Sequence, residues 1–461
     1  MKMSAAILSI LSLLLAGLPL VRVRSRATLI LLTPDFLGTA WAPYVALTGA
    51  LGAALGLISG SVLAVVAGIA ASLIAGDYLR RVTAPHDVAF ARAFGSSWRR
   101  RISPETEQRM IQRRWSWGVP SAPEARCTRD LAFWTIPGSE RRLLCDVWQP
   151  PAGVKPSGMA LVFLHGSGWY LLDKDVGTRP FFRHLAAQGH IVMDVAYRLC
   201  PEANFIGMVG DAKRAVAWMK AHAADYGARP EQTVLMGGSA GGHIALLAAY
   251  TPDHPGLTPE DLKAADTSVL AVVSYYGVPD LRAYEKVARR FEPSGELSPS
   301  AERQPPGRMA MLIDRLIFGR SLKPEQLPPP PPHRQMMRDL VGGLPDEVPE
   351  RFDLASPIHH LSAASPPTLH FHGSNDHIVP VESARSFYRA LSEAGVTAVY
   401  VEFPRAPHAF DLLAPPLLSP AGQAALYDLE RFLACVATQT RRARVPPRTT
   451  LPASALAAST A

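Results

Sequence analysis

Short apolar runs alternate with amphipathic stretches over residues 144–250 of this 461-residue chain. The apolar runs predict strands near 144–148, 159–164, 190–196 and 232–236, and the amphipathic stretches predict helices over 180–188 and 209–224. Strands that alternate with helices in this way form a mostly parallel sheet with helices on both faces. The sequence therefore predicts an α/β fold for a domain over residues 131–437.

Residues 281–351 interrupt this alternation, after a further strand predicted over 269–277. Within the interruption, the stretch 308–318 is apolar enough to pack as a helix, whereas 328–332 are all proline. We expect an ordered cap insertion with a flexible proline-rich edge, and a disordered surface excursion is the alternative. The last residues, 438–461, are rich in Arg, Pro, Ala and Ser and predict a disordered tail.

The first part of the chain, residues 1–82, is almost continuously apolar. Residues 4–21 form one apolar run, and residues 27–76 contain a single charged side chain, Asp35. Because a helix needs about 20 apolar residues to cross a bilayer, this segment predicts two or three transmembrane helices. A cleaved signal peptide for the first run, and a set of buried helices in a soluble protein, are the alternatives.

Arginines at the ends of the apolar runs predict how the segment is oriented. Arg22, Arg24 and Arg26 follow the first run directly, which argues against its translocation as a signal peptide. Arg80 and Arg81 follow the last run. Because Lys and Arg near span ends favour the cytoplasm, we expect an integral membrane protein whose C-terminal domain lies on the cytoplasmic side.

The net charge of +8 is concentrated next to the apolar segment. Residues 80–142 contain thirteen Lys or Arg and six Asp or Glu, with Trp and Phe interleaved. Residues 83–130 therefore predict a basic juxtamembrane linker or lid, whose helices lie either at the bilayer interface or against the C-terminal domain. No nucleic-acid recognition motif accompanies these charges, so no nucleic-acid partner is expected. The four cysteines contain no C-x-x-C pair, so no metal or redox site is expected.

One glycine-rich turn, G-G-S-A-G at 237–241, lies at a predicted strand-to-helix junction. In this context a G-x-S-x-G serine is forced into a strained backbone conformation that lifts its hydroxyl clear of the sheet. The pattern is common by chance, and the apolar run before it and the helical stretch after it make it specific. Ser239 is therefore predicted to be a nucleophile, with Gly237 and Gly241 allowing the close packing of the turn.

A nucleophilic serine needs a base, and an acid that orients the base. Asp376 lies just past a strand predicted over 367–373, at the edge where ligand-facing residues of parallel sheets are found. His408 lies in the loop after the next predicted strand, 399–403. We predict that His408 moves the proton and that Asp376 holds its imidazole in the useful tautomer. Rival groups near the acid are His370, His372, His377 and Glu382.

Backbone N–H donors for a developing oxyanion are expected at two places. One is the residue directly after the nucleophile, and the other is the loop H-G-S-G at 165–168, which follows the predicted strand 159–164. Glycines let backbone N–H groups turn toward a substrate, although an ordinary glycine-rich turn is the alternative. The predicted donors are Gly166, Ser167 and Ala240, and the supporting loop residues are His165 and Gly168.

These segments resemble the hormone-sensitive-lipase-like group of the α/β-hydrolase superfamily, whose esterases carry an HGGG-type loop. The resemblance covers about residues 130–435 and includes the stretch 194–202 with Asp211 downstream, and the order serine, acid, histidine. It implies the α/β-hydrolase fold and a carboxylic ester hydrolase without metal or organic cofactor. Two positions depart from the family pattern: Ser167 replaces a glycine that can adopt positive φ, and Gly238 replaces an acidic residue.

Together these patterns predict a membrane-anchored serine esterase or lipase-type hydrolase that acts through an acyl-enzyme. The expected substrate is a small-molecule or lipid ester with an apolar acyl group, because the anchor places the domain beside a bilayer. An amidase or peptidase with the same triad, and a non-catalytic ligand-binding protein of the same fold, are the alternatives. The oligomeric state and the identity of the acyl and alcohol groups stay open.

Overall fold

A central sheet organises the computed structural model of this chain. The structure describes residues 1–21, 32–175, 177–289, 331–412 and 417–444. Within them the strands are β1 Arg126–Thr135, β2 Arg142–Gln149, β3 Ala160–Leu164, β4 Ile191–Val195, β5 Thr233–Gly238, β6 Ala271–Tyr275, β7 Thr368–Gly373 and β8 Ala398–Phe403. Their order is β1-β2-β4-β3-β5-β6-β7-β8, with β2 antiparallel to both β1 and β4 and the other neighbours parallel. The predicted mostly parallel sheet is confirmed.

Helices cover both faces of this sheet, as its fully buried inner strands require. The helices are α1 Lys2–Gly17, α2 Leu32–Ala40, α3 Ala42–Ser59, α4 Val62–Val82, α5 Asp87–Phe94, α6 Pro104–Glu107, α7 Arg179–Ala187, α8 Phe205–Ala221, α9 Ala240–Tyr250, α10 Leu281–Ala288, α11 His333–Val341, α12 Pro349–Leu354, α13 Val381–Glu393 and α14 Pro420–Arg444. One core layer contains side chains of α8, α9, α11 and α13. The other contains side chains of α5, α7 and α14.

The apolar N-terminal segment forms a bundle in which α1, α3 and α4 pack against one another. Among the described residues, three helical stretches have the length and composition to cross a membrane, namely Lys2–Leu20, Ala42–Ser59 and Val62–Phe94. This number is the larger of the two that the sequence predicts. Of the arginines that were used to predict the orientation, Arg80 and Arg81 lie in the last turn of α4. The other group lies in residues 22–31, outside the described part of the chain.

Small residues make the contacts inside this bundle. A Cβ added to Gly68 would lie 2.4 Å from the carbonyl oxygen of Gly49, and one added to Gly52 would lie 2.3 Å from the Ser9 hydroxyl. Large apolar side chains face outward instead, and the exposed ones include Leu11, Leu14, Leu47, Leu51, Leu57, Leu63, Val66, Ile69 and Leu73. Small residues at helix contacts and an apolar outer surface are typical of helices packed within a bilayer.

The basic linker packs against the C-terminal domain, which is one of its two expected placements. Phe90, Phe94 and Trp98 are buried, and the rings of Phe94 and Phe432 are 5.9 Å apart. Arg99 and its neighbour at 100 are exposed. The linker therefore buries these three aromatic side chains, with Phe94 against α14, and leaves arginines in solvent.

The structure extends the C-terminal domain beyond both predicted ends. The sheet begins at Arg126, before the predicted start at 131, with the edge strand β1. Most of β1 is exposed and its exposed positions carry few apolar residues, so the strand gave no apolar run in the sequence. Helix α14 continues past the predicted end at 437 to Arg444, because no proline occurs before Pro446. In the predicted insertion, α10, α11 and α12 are described. The predicted helix over 308–318 and the tail beyond 444 lie outside the described residues.

Candidate active site

Ser239 lies at the sharp turn between β5 and α9. Its backbone has φ 53° and ψ −121°, and its N–H donates to the carbonyl oxygen of Tyr275 at 2.8 Å. Neighbouring glycines permit this turn, because a Cβ on Gly237 would lie 2.6 Å from the Gly241 backbone. A Cβ on Gly241 would itself lie 2.1 Å from the carbonyl oxygen of Leu164. The strained conformation expected for a nucleophile at this junction is therefore present.

The structure brings Ser239, His408 and Asp376 into one chain of hydrogen bonds. His408 Nε2 lies 2.9 Å from Ser239 Oγ, and His408 Nδ1 lies 2.7 Å from Asp376 Oδ2. The loop after β8 supplies the histidine and the turn after β7 supplies the acid, so three segments at the same edge of the sheet build the relay. In this arrangement, the imidazole can accept the serine proton while its Nδ1–H stays bound to the carboxylate.

Asp376 is held as an anion by its surroundings. Its Oδ1 accepts the N–H groups of Ile378 at 2.9 Å and Val379 at 2.8 Å. Burial alone would raise the pKa of this carboxyl, but the attraction and hydrogen bond of His408, with smaller contributions from His372 and the Val379 N–H, lower the pKa below its usual value. The acid can therefore stabilise an imidazolium at neutral pH.

The rival residues occupy other positions. His370 lies within β7 and its ring stacks against those of His372 and Tyr400, and burial lowers its pKa. The Nε2 of His372 lies 3.0 Å from the Val379 carbonyl oxygen, beside the acid. His377 follows the acid on the same turn, and Glu382 lies in the first turn of α13. Both ring nitrogens of His408 are hydrogen-bonded, one to Ser239 and the other to Asp376. The residues in contact with His408 are therefore the predicted serine and the predicted acid.

The three predicted backbone donors lie on the loop after β3 and in the residue that follows the serine. A Cβ on Gly166 would lie 3.4 Å from Ser239 Cβ, so the loop after β3 lies against the nucleophile. Among the described residues, no protein hydrogen bond uses the N–H group of Gly166, Ser167 or Ala240. Over the same part of the chain, no group of three or more His, Cys, Asp and Glu side chains could hold a metal ion.

Ser167, which replaces a glycine of the family loop, has no positive φ. The positive φ values fall on Gly168, at 55°, and Trp169, at 65°. Ser167 Oγ accepts the Trp169 N–H at 3.0 Å and lies 2.9 Å from the hydroxyl of Tyr197, which donates to the His165 carbonyl oxygen at 2.8 Å. The serine hydroxyl is therefore bound within the loop, where it fixes the loop conformation rather than facing a substrate.

Comparison with known proteins agrees with this architecture. The sequence model of the BD-FAE family matches residues 145–305 and 323–391. The chain belongs to the BD-FAE family. Its parallel sheet, strained serine turn and order of serine, acid and histidine are those of the α/β-hydrolase fold, so the predicted fold is confirmed.

Named relatives of this BD-FAE chain include two proteins of Mycobacterium tuberculosis. The probable carboxylic ester hydrolase LipM is 32% identical over 67% of this chain and 62% of its own length. The esterase LipQ is 31% identical over 64% of this chain and 60% of its own length. The match thus spans about three fifths of each relative. Among solved structures, apo Thermogutta terrifontis esterase 2 is 23% identical, with 68% of this chain and 94% of that chain covered and a TM-score of 0.46.

A tryptophan to which the sequence analysis gave no role braces the loop after β3. Trp169 Nε1 donates to Nδ1 of His243 at 3.1 Å, and Nε2 of His243 donates to the Ala355 carbonyl oxygen at 2.7 Å. Burial lowers the pKa of His243 to about 4, so its ring is neutral and can accept this bond. The Trp169 ring also meets that of Tyr284 on α10, at 5.4 Å. The insertion therefore contacts the loop that carries the predicted donors.

A second polar pair lies beside the relay, and sequence reasoning missed it. Tyr276 donates to Asp411 Oδ1 at 2.6 Å, and its ring lies 4.5 Å from that of His408. A Cβ on Gly238 would lie 3.4 Å from the Tyr276 hydroxyl, so this pair borders the residue that precedes the serine. Burial raises the pKa of Asp411 to about 6. The only sequence signal was the position of Asp411, shortly after His408.

Proposed function

We propose that this chain is a membrane-anchored serine carboxylic ester hydrolase. The observation that carries the proposal is the hydrogen-bonded succession of Ser239, His408 and Asp376 at a strained strand-to-helix turn. The names of LipM and LipQ as ester hydrolase and esterase support the same activity. The relay gives this site a nucleophile, a base and an orienting acid, which are the groups that acyl transfer requires.

The proposed reaction runs through an acyl-enzyme. His408 Nε2 takes the hydroxyl proton as Ser239 Oγ attacks the ester carbonyl carbon. The N–H groups of Gly166, Ser167 and Ala240 bind the resulting oxyanion. His408 then returns the proton to the leaving alcohol as the ester C–O bond breaks. Water attacks the acyl-enzyme with His408 as base, which releases the carboxylic acid and restores the serine.

The distribution of side chains in the N-terminal bundle supports membrane anchoring. Its helices have spanning length, small residues at their contacts and large apolar residues outside. With this anchor the active site lies beside a bilayer, and we propose apolar acyl esters, including lipid esters, as substrates. The arginines in the last turn of α4 favour a cytoplasmic catalytic domain. Protease protection in intact cells tests this side, and digestion of the domain by external protease would contradict it.

Hydrolysis of matched substrates tests the activity. We expect the full-length protein, purified in detergent, to hydrolyse p-nitrophenyl esters much faster than the corresponding anilides, with a preference that an acyl-length series will define. We expect the Ser239→Ala variant to lose the activity by orders of magnitude. Faster turnover of the anilides would favour an amidase or peptidase. Absence of any turnover that depends on Ser239 would favour a non-catalytic binding protein.

A further inference from the structure

The membrane bundle touches the turn that carries the acid. Just after α1, the carbonyl oxygen of Pro19 accepts a hydrogen bond from the side-chain amide of Asn375 at 2.7 Å. Asn375 is 6% exposed and directly precedes Asp376. Because the acceptor is a backbone atom of the bundle, a displacement of α1 would pull on the acid turn itself.

A second helix of the bundle touches the loop that carries the histidine. The guanidinium of Arg405, three positions before His408, forms an ion pair with Asp77 in the last turns of α4. Arg405 adopts a positive φ of 59°, and its N–H donates to Ser374 Oγ at 2.7 Å. The side chain that reaches the bundle therefore comes from a tightly bent part of the loop that is itself bonded to the acid turn.

The two contacts act on one unit, because the acid turn and the histidine loop are joined and the two helices are joined. The N–H of Asn375 donates to the Ala406 carbonyl oxygen at 3.1 Å. A Cβ on Gly373 would lie 2.2 Å from that same oxygen, so the two segments are in backbone contact. On the bundle side, α1 and α4 pack directly on each other.

We propose that the membrane bundle is part of the catalytic architecture, and that Asn375 and Arg405 are positioning residues through which it sets the geometry of Asp376 and His408. This inference rests on the proposed hydrolase function. The bundle thus does more than tether the enzyme. Its helices hold both loops whose separation fixes the 2.7 Å contact between the acid and the imidazole.

The test uses the full-length protein in lipid nanodiscs and a short soluble ester, p-nitrophenyl acetate, so that partitioning into lipid does not limit the rate. Three variants are measured: Asn375→Ala, Asp77→Asn and Arg405→Gln. Because a displacement of about 1 Å at a catalytic group costs up to about 100-fold, we expect kcat to fall about 10-fold or more in each variant while KM changes little. Arg405→Lys, which keeps the charge opposite Asp77, should recover most of the loss.

Two controls make the result specific. Arg385→Gln removes a two-bond ion pair between α13 and Glu402 on β8, which includes no residue of the bundle, and should leave kcat unchanged. Asp77 also pairs with Arg80 and Arg81 in its own helix, so Asp77→Asn removes these ion pairs together with the one to Arg405. The double variant Asp77→Asn/Arg405→Gln should therefore be no slower than the slower single variant, because Asp77→Asn already removes the partner of Arg405. The melting temperature of each variant identifies unfolding, and if one fails to fold, the remaining two decide the question.

The outcomes separate this inference from the proposed function. If the wild-type protein hydrolyses the ester and the folded variants at 77, 375 and 405 all keep kcat within twofold, the positioning role is wrong and the hydrolase stands. Equal losses in Arg385→Gln would also overturn the role, because the effect would then be a general response to lost ion pairs. If the wild-type protein hydrolyses no ester, the proposed function fails first.

Discussion

Substitution of Gly241 by alanine isolates the close packing on which the nucleophile turn depends. The added Cβ would lie 2.1 Å from the carbonyl oxygen of Leu164 and 2.5 Å from that of His165. A carbon and a carbonyl oxygen normally approach to about 3.3–3.6 Å, so the backbones must separate by about 1 Å. Both are backbone oxygens, one at the end of β3 and one at the start of the loop that follows it, so no side-chain rotation can move them away.

The expected cost follows from this displacement. Overpacking of a buried site costs about 1–3 kcal/mol in stability, and a shift of about 1 Å at catalytic groups costs about 100-fold in rate. We therefore expect Gly241→Ala to fold with a lowered melting temperature and to lose about 100-fold or more in kcat. The neighbouring Gly238→Ala is the matched control, because its Cβ would lie 3.4 Å from the Tyr276 hydroxyl, an ordinary contact. That variant should stay within about threefold of wild type.

The assay is steady-state hydrolysis of p-nitrophenyl butyrate by the full-length variants, combined with thermal unfolding. A Gly241→Ala protein with wild-type kcat would refute the packing argument. So would equal damage in Gly238→Ala, since the added carbon at 238 meets only ordinary contacts whereas the one at 241 overlaps two carbonyl oxygens.

Three further predictions concern polar groups of the site. Asp376→Asn should fold but lose about 10⁴-fold in kcat, because an amide favours the wrong histidine tautomer; a loss below tenfold would contradict the assigned acid. Ser167→Ala removes a hydroxyl that forms hydrogen bonds within the loop after β3, and such a bond contributes about 1 kcal/mol. We therefore expect kcat to fall about fivefold, and an unchanged kcat would exclude a role of this hydroxyl in fixing the loop conformation. Burial raises the pKa of Asp411 from 3.8 to about 6. As the pH rises, the unfolded chain therefore loses this proton before the folded protein does. The free energy of unfolding should then be highest below pH 4 and fall by about 3 kcal/mol as the pH rises through 6. Thermal unfolding from pH 4 to 7 should show a smaller fall in Asp411→Asn, and identical curves would contradict the shift.

The sequence was informative wherever a local pattern carries the physical constraint. The apolar runs predicted the buried strands, because a parallel sheet covered on both faces leaves no room for polar alternation. The serine turn was readable because a close approach of β3 to α9 requires glycine at 237 and 241. Asp376 and His408 were readable because each follows a strand whose carboxyl end meets the same edge of the sheet.

Features made by contacts between distant segments could not be predicted. Tyr276 and Asp411 are separated by 135 positions, and neither residue lies in a recognisable motif. The contacts of Asn375 with Pro19 and of Arg405 with Asp77 join segments more than 300 positions apart. Hydropathy identified the N-terminal helices as apolar, but it carries no information on which loops their ends contact.

Covalent labelling of the intact protein tests the central claim most directly. A fluorophosphonate reacts with a serine only when a neighbouring base activates its hydroxyl, and peptide mass mapping then identifies the modified residue. The account predicts one adduct per chain on the peptide that contains Ser239, strong slowing in His408→Ala and no adduct in Ser239→Ala. Labelling at another serine, or a wild-type protein left unmodified while folded, would contradict it.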